Sequence, residues 1–187
     1  MNTQSIMVKH PLDLSIGTSR LSLKRWQKVY KLHKNFLKSE NFLFLKKEIS
    51  SSDFPWYIQQ KSIATSKNRY DFHFGHVFYE PFTINSRSFN ILNPLIENLK
   101  IKSLIRIKAN LYPVSNKIFI PDLHVDQPFN CKVAIFYVNT NNGYTMLESN
   151  KIKSVENTIL LFESSKKHYG TSSTDTQSRI TINFNYF

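Results

Sequence analysis

The chain has 187 residues, long enough for one domain with a sizeable hydrophobic core. Apolar residues make up 41% and charged residues 20%, a globular mix, and no apolar run approaches the ~20 residues of a membrane-spanning helix. The net charge of +12 comes from lysines spread along the first half, which reads as a solvated basic surface in preference to a nucleic-acid groove; the single cysteine, Cys131, excludes an internal disulfide.

Met1 to Ser5 lacks a basic stretch leading into an apolar one, so no secretory signal is expected and a cytoplasmic location is. Residues 1–19 have no periodicity and read as an irregular arm. From Leu21 to Leu45, Leu23, Trp26, Val29, Tyr30, Phe36 and Leu37 recur at roughly helical spacing, with Lys24, Lys28, Lys31, Lys34 and Lys38 between them. This predicts an amphipathic helix packed on the back of a sheet with its lysines outward. Ser50-Ser51-Ser52-Asp53 with Pro55 breaks the pattern. Tyr70 to Tyr79 alternates as a strand, and Asn93–Leu99, with Pro94 in its first turn, reads as a short helix.

Beyond residue 100 the pattern changes to short strands, expected at Leu104–Tyr112, Lys117–Ile120, Cys131–Asn139, Tyr144–Glu148, Thr158–Phe162 and Arg179–Tyr186. Asn141-Asn142-Gly143, Ser164-Ser165 and Gly170-Thr171-Ser172-Ser173 read as turns between them. Many short strands with turn signals predict a mainly β protein with flanking helices, a jelly roll or sandwich. The whole chain is read as a single domain, with residues 1–100 as support and residues 101–187 as the core.

The chemistry-bearing pattern lies in that second half. His124-Val125-Asp126 falls in a loop between strands, His168 follows the Thr158–Phe162 strand by a short turn, and Arg179 opens the last strand. Two histidines and one carboxylate form the facial triad that binds non-heme Fe(II) and leaves positions open for substrate and O2. Alternation along the last strand puts Arg179 and Thr181 on one face. A rigid guanidinium fork beside a hydroxyl suits the distal carboxylate of 2-oxoglutarate.

These residues, with their order and strand context, resemble the Fe(II)/2-oxoglutarate-dependent dioxygenase superfamily, and most of all its prolyl 4-hydroxylase-like branch. Arg106-Ile107-Lys108-Ala109-Asn110-Leu111-Tyr112 resembles the strand before the metal motif. Asn142-Gly143-Tyr144-Thr145 resembles the branch's Gly-Gly-x-Thr turn, and Leu161-Phe162-Glu163-Ser164 its Leu-Phe-x-Ser segment. The resemblance covers about residues 104–187. Upstream, Phe54-Pro55-Trp56-Tyr57 and the Phe74–Tyr79 strand resemble small dioxygenases often found in phages.

The resemblance implies a double-stranded β-helix (jelly roll, cupin-like) with Fe(II) held by His124, Asp126 and His168. It implies Arg179, helped by Thr181, as the anchor of the cosubstrate 2-oxoglutarate. Where the branch has a Tyr three residues before the first ligand His, this chain has Pro121; Tyr112, Asn110 or Tyr137 is expected to supply that contact, with Thr145 nearby. The implied reaction is hydroxylation of a C–H bond in a peptide, amino acid or small metabolite. The alternatives are a nucleic-acid-modifying enzyme of the same kind and a jelly-roll binding module without catalysis. The nucleic-acid demethylase branch carries a second Arg shortly after the first, which this chain lacks. Asp126 disfavours a halogenase, which gives up that carboxylate to make room for halide.

Other polar residues have plainer readings. Asp71, His73 and His76 lack a suitably spaced third ligand and read as surface or rim residues. His10 and His33 read as solvent-facing, and Cys131 as a small buried hydrophobe. Arg106 and Lys108 share a face with Asn110, which is either the exposed side of a strand or the pocket wall.

Overall fold

A computed structural model describes residues 30–60 and 72–187. The expected arm at 1–19, the side chains of Leu23, Trp26 and Val29, and Asp71 lie outside the described residues. Among the described residues no helix is long and apolar enough to cross a membrane.

In chain order the elements are β1 (Lys31–Lys34), α1 (Ser39–Ile49), β2 (Tyr57–Gln59), β3 (His73–Tyr79), a 3-10 turn at Phe89–Leu92 and α2 (Asn93–Leu99). Then come β4 (Leu104–Pro113), β5 (Lys132–Tyr137), β6 (Asn141–Leu147), β7 (Asn150–Ser154), β8 (Thr158–Glu163), β9 (His168–Gly170) and β10 (Ser178–Tyr186). They form a seven-stranded antiparallel sheet, ordered β1-β8-β5-β10-β4-β3-β2, and a three-stranded one, ordered β7-β6-β9. The interleaved order of late and early strands is that of a double-stranded β-helix.

Strict alternation in β10 and β4 gives the large sheet two unlike faces. Ile180, Ile182, Phe184 and Tyr186 of β10 point one way with Ile107, Ala109 and Leu111 of β4 and Ala134, Phe136 and Val138. This face packs on the helical layer through Leu45, Ile49, Leu92 and Leu95, each fully buried. Phe42 meets the edge of Phe136 with ring centroids 6.3 Å apart. The same buried cluster thus draws on residues from both sides of position 100.

The opposite face looks toward the small sheet and is itself divided. Over β5 and β8, Val133, Ile135, Tyr137, Leu160 and Phe162 pack with Leu147 and Ile152 into a second apolar cluster. Over β4 and β10 the same face carries Arg106, Lys108, Asn110, Tyr112, Arg179, Thr181, Asn183 and Asn185, and there the two sheets enclose a cavity instead of a core.

The sequence expectations need four corrections here. Residues 31–34 are a strand, and the helix begins only at Ser39. β1 fills the open hydrogen-bonding edge of β8, and that backbone pairing overrides a helical side-chain spacing whose lysines stay exposed either way. The helix that does form is built on Phe42, Leu45 and Ile49, one apolar stripe. Lys117–Ile120 is not a strand: Phe119 N–H bonds to the Ser172 hydroxyl and Ser172 N–H to the Phe119 carbonyl, isolated contacts in place of a ladder. Asn141-Asn142-Gly143 lies within β6 as a bulge instead of a turn, and β7 and β9 are short strands with too few apolar residues to signal themselves.

Candidate active site

His124 and His168 face each other as an isolated antiparallel bridge. The His124 N–H donates to the His168 carbonyl at 3.0 Å, and the His168 N–H returns the bond at 2.9 Å. Direct opposition puts both side chains on the same side of the sheet, with ring centroids 4.8 Å apart. Asp126 is two residues beyond His124 and so returns to the same side. One potential ligand atom from each residue lies within 4.8 Å of the others.

The surroundings aim these atoms. His124 Nδ1 sits 3.3 Å from the Asp122 carbonyl and His168 Nδ1 sits 3.3 Å from the Lys166 carbonyl. Each carbonyl favours a proton on Nδ1 and so a lone pair on Nε2, the atom that can ligate a cation. Asp126 Oδ2 accepts a hydrogen bond from Asn185 Nδ2 at 3.0 Å, and its Oδ1 faces the Nε2 atoms of His168 and His124 at 3.5 and 3.8 Å. Burial alone would raise the Asp126 carboxyl, but His168, Asn185 and His124 outweigh it and hold the group well below the usual carboxylate range. Buried His168 Nε2 has no hydrogen-bond partner. Two imidazole nitrogens, one of them buried and unpaired, and an anionic oxygen form a donor set suited to Fe(II).

The other end of the cavity is organised around Arg179, which is 1% exposed. Its Nε donates to Ser154 Oγ at 2.8 Å and its Nη2 to Thr145 Oγ1 at 3.1 Å. The guanidinium carbon lies 5.8 Å from both the Tyr112 and Tyr137 ring centroids. No carboxylate of the described residues pairs with it. Burial lowers the Arg179 pKa, with Tyr137 and Tyr112 opposing that shift. Tyr137 donates its own proton to Thr145 Oγ1 at 3.0 Å and stays a neutral phenol, pushed up to about 12 by burial. Thr145 Oγ1 therefore accepts twice and keeps its proton to give away. The guanidinium has five N–H donors, of which Ser154 and Thr145 take two, and the side chain lines the cavity.

Two glycines make room for this side chain. A Cβ at Gly170 would stand 3.0 Å from Arg179 Nη1, and one at Gly143 would stand 2.7 Å from both Arg179 Cδ and the Ser172 carbonyl oxygen. The second contact is with backbone and cannot yield cheaply. Gly143→Ala is therefore expected to destabilise the protein by about 1–3 kcal/mol, as overpacking does, and to displace Arg179. A urea melt with and without added 2-oxoglutarate checks both effects.

Between these ends lies a cavity of about 250 Å³. Of the residues singled out in the sequence, His124, Asp126, His168, Arg179, Thr181, Asn110, Tyr112 and Thr145 line it, and Tyr137 stands behind against Arg179. Register explains the grouping: Arg179 lies opposite Tyr112, Thr181 opposite both Asn110 and Tyr137. Arg106 and Lys108 belong to the cavity wall and not to an exposed strand face. His73 and His76 are buried, not on the surface: His73 lines the cavity and stacks on Tyr112 at 5.0 Å, while His76 is held between the Pro55 carbonyl and Ser86 Oγ. Cys131 is buried.

Sequence reasoning missed Ser154, Gly170, Asn183 and Asn185. The two asparagines were within reach, since positions 179, 181, 183 and 185 share one face of the same strand. Ser154 sits on a strand with one buried aliphatic residue, and no sequence signal marks it.

No family model and no curated protein matches the sequence. Solved structures do match. One is a prolyl hydroxylase from Trichoplax adhaerens in complex with a hypoxia-inducible-factor peptide fragment, at 19% identity and TM-score 0.62, covering 85% of this chain and 83% of that one. Another is a 2OG-Fe(II) oxygenase family oxidoreductase from Burkholderia pseudomallei, at 7% identity and TM-score 0.63, covering 84% of each. A third is a viral collagen prolyl hydroxylase from Paramecium bursaria Chlorella virus-1 in its 2OG complex, at 11% identity and TM-score 0.55, covering 84% of this chain and 94% of that one. The fold of this chain is the jelly roll of the 2OG-Fe(II) oxygenases.

Proposed function

We propose that this chain is a non-heme Fe(II)- and 2-oxoglutarate-dependent dioxygenase that hydroxylates a C–H bond. The observation that carries the reading is the pairing, in one cavity, of a His-Asp-His donor set with a buried guanidinium that has no acid partner among the described residues. Burying a lone cation is costly unless an anion arrives to meet it, and a dicarboxylate that also reaches the metal fits both ends.

His124, Asp126 and His168 would hold Fe(II). With 2-oxoglutarate and O2 the metal supplies oxidation: 2-oxoglutarate becomes succinate and CO2, and one oxygen atom enters the substrate C–H bond. The protein's own part is orientation. Arg179 grips the distal carboxylate of 2-oxoglutarate, with Thr181 and the spare Thr145 proton as further donors. Tyr112 and Tyr137 wall the guanidinium from water, and Asn110 lines the path between anchor and metal. Asn185 fixes the carboxylate of Asp126, and the carbonyls of Asp122 and Lys166 fix the imidazoles.

A groove for nucleic acid draws no support from Lys31 and Lys34, two described members of the basic set in the first half of the chain. Lys31 and Lys34 sit on edge strand β1, four strands from β4, or about 19 Å at the usual strand spacing, and neither lines the cavity. An amino acid, peptide or small metabolite is the favoured substrate. Anaerobic titration of 2-oxoglutarate into the Fe(II)-loaded protein, followed by succinate release in air, tests the reading. Absence of 2-oxoglutarate binding would leave a binding module on the same fold. Asn185→Ala is expected to lower metal affinity roughly 10–100-fold while keeping the fold, as removal of a ligand's hydrogen-bond partner does. Competition against a chelator measures this.

A further inference from the structure

Arg179 and the triad account for two of the charged groups in the cavity and leave Lys108 unexplained. Lys108 lies opposite Asn183 in the β4–β10 register, between Arg106 and Asn110 on the cavity face. Its stem crosses β3 at Gly75, where a Cβ would come within 2.7 Å of Lys108 Cε. The absent side chain at Gly75 lets the lysine lie flat against the sheet. Its Nζ is 3.5 Å from His73 Nε2, and among the described residues no carboxylate forms an ion pair with it. Burial and neighbouring Arg106 push the amine down to about 8, with Glu80 and Asp126 opposing, so the cation still predominates at neutral pH. The neighbouring Asn183 has a buried side-chain Oδ1 with no hydrogen-bond partner, in the wall of the same cavity.

The charges of the loaded site leave this lysine over. Fe(II) and the 2-oxoglutarate dianion cancel, Asp126 and Arg179 cancel, and Arg106 pairs with Glu80 at 3.4 Å. Lys108 then stands as a half-buried cation without a counterion among the described lining residues, beside an amide with unspent hydrogen-bonding capacity. Lys108 lies two register positions beyond Thr181 and four beyond the Arg179–Tyr112 pair, toward Asn185 and Asp126.

We propose that Lys108 supplies the charge of an oxyanion subsite for the substrate, with Asn183 Oδ1 as an acceptor beside it, so that the molecule oxidised carries a carboxylate or phosphate together with an N–H or O–H donor. This rests on the dioxygenase reading and names its substrate class: a small anionic molecule. The amine supplies charge, and the unpaired Asn183 Oδ1 accepts from an N–H or O–H of the same molecule. A neutral analogue would leave Lys108 buried and uncompensated, which makes the subsite discriminating.

The test is a binding panel on the protein loaded with Mn(II) and 2-oxoglutarate: small amino and hydroxy acids each paired with its primary amide, and phosphomonoesters each paired with the free alcohol. Binding is read by calorimetry and by thermal shift. At least one acid or phosphoester is expected to bind ten times more tightly than its neutral partner, and the preference is expected to fall within twofold in Lys108→Met. Lys108→Arg should keep part of it. The carboxylate and phosphate arms distinguish the two oxyanions. The proposal is overturned if no panel member binds wild type better than Lys108→Met, or if the preference survives in Lys108→Met. It is equally overturned if that variant loses affinity for 2-oxoglutarate itself, which would place Lys108 in the cosubstrate site. Failure of 2-oxoglutarate to bind wild type overturns the dioxygenase reading as well, so the two failures are distinguishable.

Discussion

Replacing Arg179 with methionine is expected to abolish useful 2-oxoglutarate binding without weakening the fold. The binding loss follows from removing a charge-assisted, two-pronged contact in a desolvated pocket, about 2–5 kcal/mol, or roughly thirtyfold to several-thousandfold in affinity. The stability expectation has the opposite sign from most buried substitutions. Arg179 is buried against two hydroxyls and two aromatic rings, with no anion of the described chain to offset its desolvation. A flexible apolar side chain of similar reach removes that penalty, so the ligand-free variant should melt no lower than wild type. Wild type should gain about 2.7 kcal/mol from 2-oxoglutarate at a hundred times its dissociation constant, and the variant nothing. Arg179→Lys should also bind poorly, because an ammonium is not a planar fork and its shorter donor set cannot serve Ser154, Thr145 and a carboxylate together. An affinity within twofold of wild type in Arg179→Met would refute the anchor role.

The same residue illustrates what could be read before any coordinates. The order His124, Asp126, His168, Arg179 and the alternation of β10 were legible, because ligand chemistry and strand period are both local properties. The polar face of β4 and β10 was harder to place. Arg106, Lys108 and Asn110 alternate with Ile107, Ala109 and Leu111, a pattern that equally describes a strand with one face in water. Only the small sheet, built from β6, β7 and β9, turns that face inward, and β7 and β9 are too short and polar to be recognised. One feature did separate the cases: β10 presents Thr181, Asn183 and Asn185, which are not the charged residues that usually cover a solvated strand. The first half failed for a different reason. The spacing around Lys31–Lys34 is helical, but the exposed backbone edge of β8 is a property of the assembled sheet, and β1 answers that edge. His73 and His76 read as surface or rim residues in the sequence because nothing local shows that β3 lies between β4 and β2.

The triad variants should separate metal binding from folding. Wild type is expected to bind one Fe(II) or Mn(II) per chain and to melt higher when the metal is added, since the ligand set gathers only in the folded state. Asp126→Ala should lose the metal most completely, because it removes the one negative charge among the ligands and strands Asn185 Nδ2. His124→Ala and His168→Ala should each lose it too, yet differ in stability. The His124 side chain is 25% exposed and sits in an irregular loop, so its removal should change the metal-free melting point little. His168 is 2% exposed, stacks edge-on against Phe162 at 4.9 Å and lies between β6 and the His124 bridge. Deleting that ring leaves a cavity and should cost the metal-free protein about 2–4 kcal/mol, within the range for large buried side chains. Metal analysis of the purified variants, with melts recorded with and without Mn(II), reads both effects on the same samples. Unchanged stoichiometry in all three variants would remove the metal from this site, and equal destabilisation by His124→Ala and His168→Ala would mean that the exposed ring is as firmly built in as the buried one.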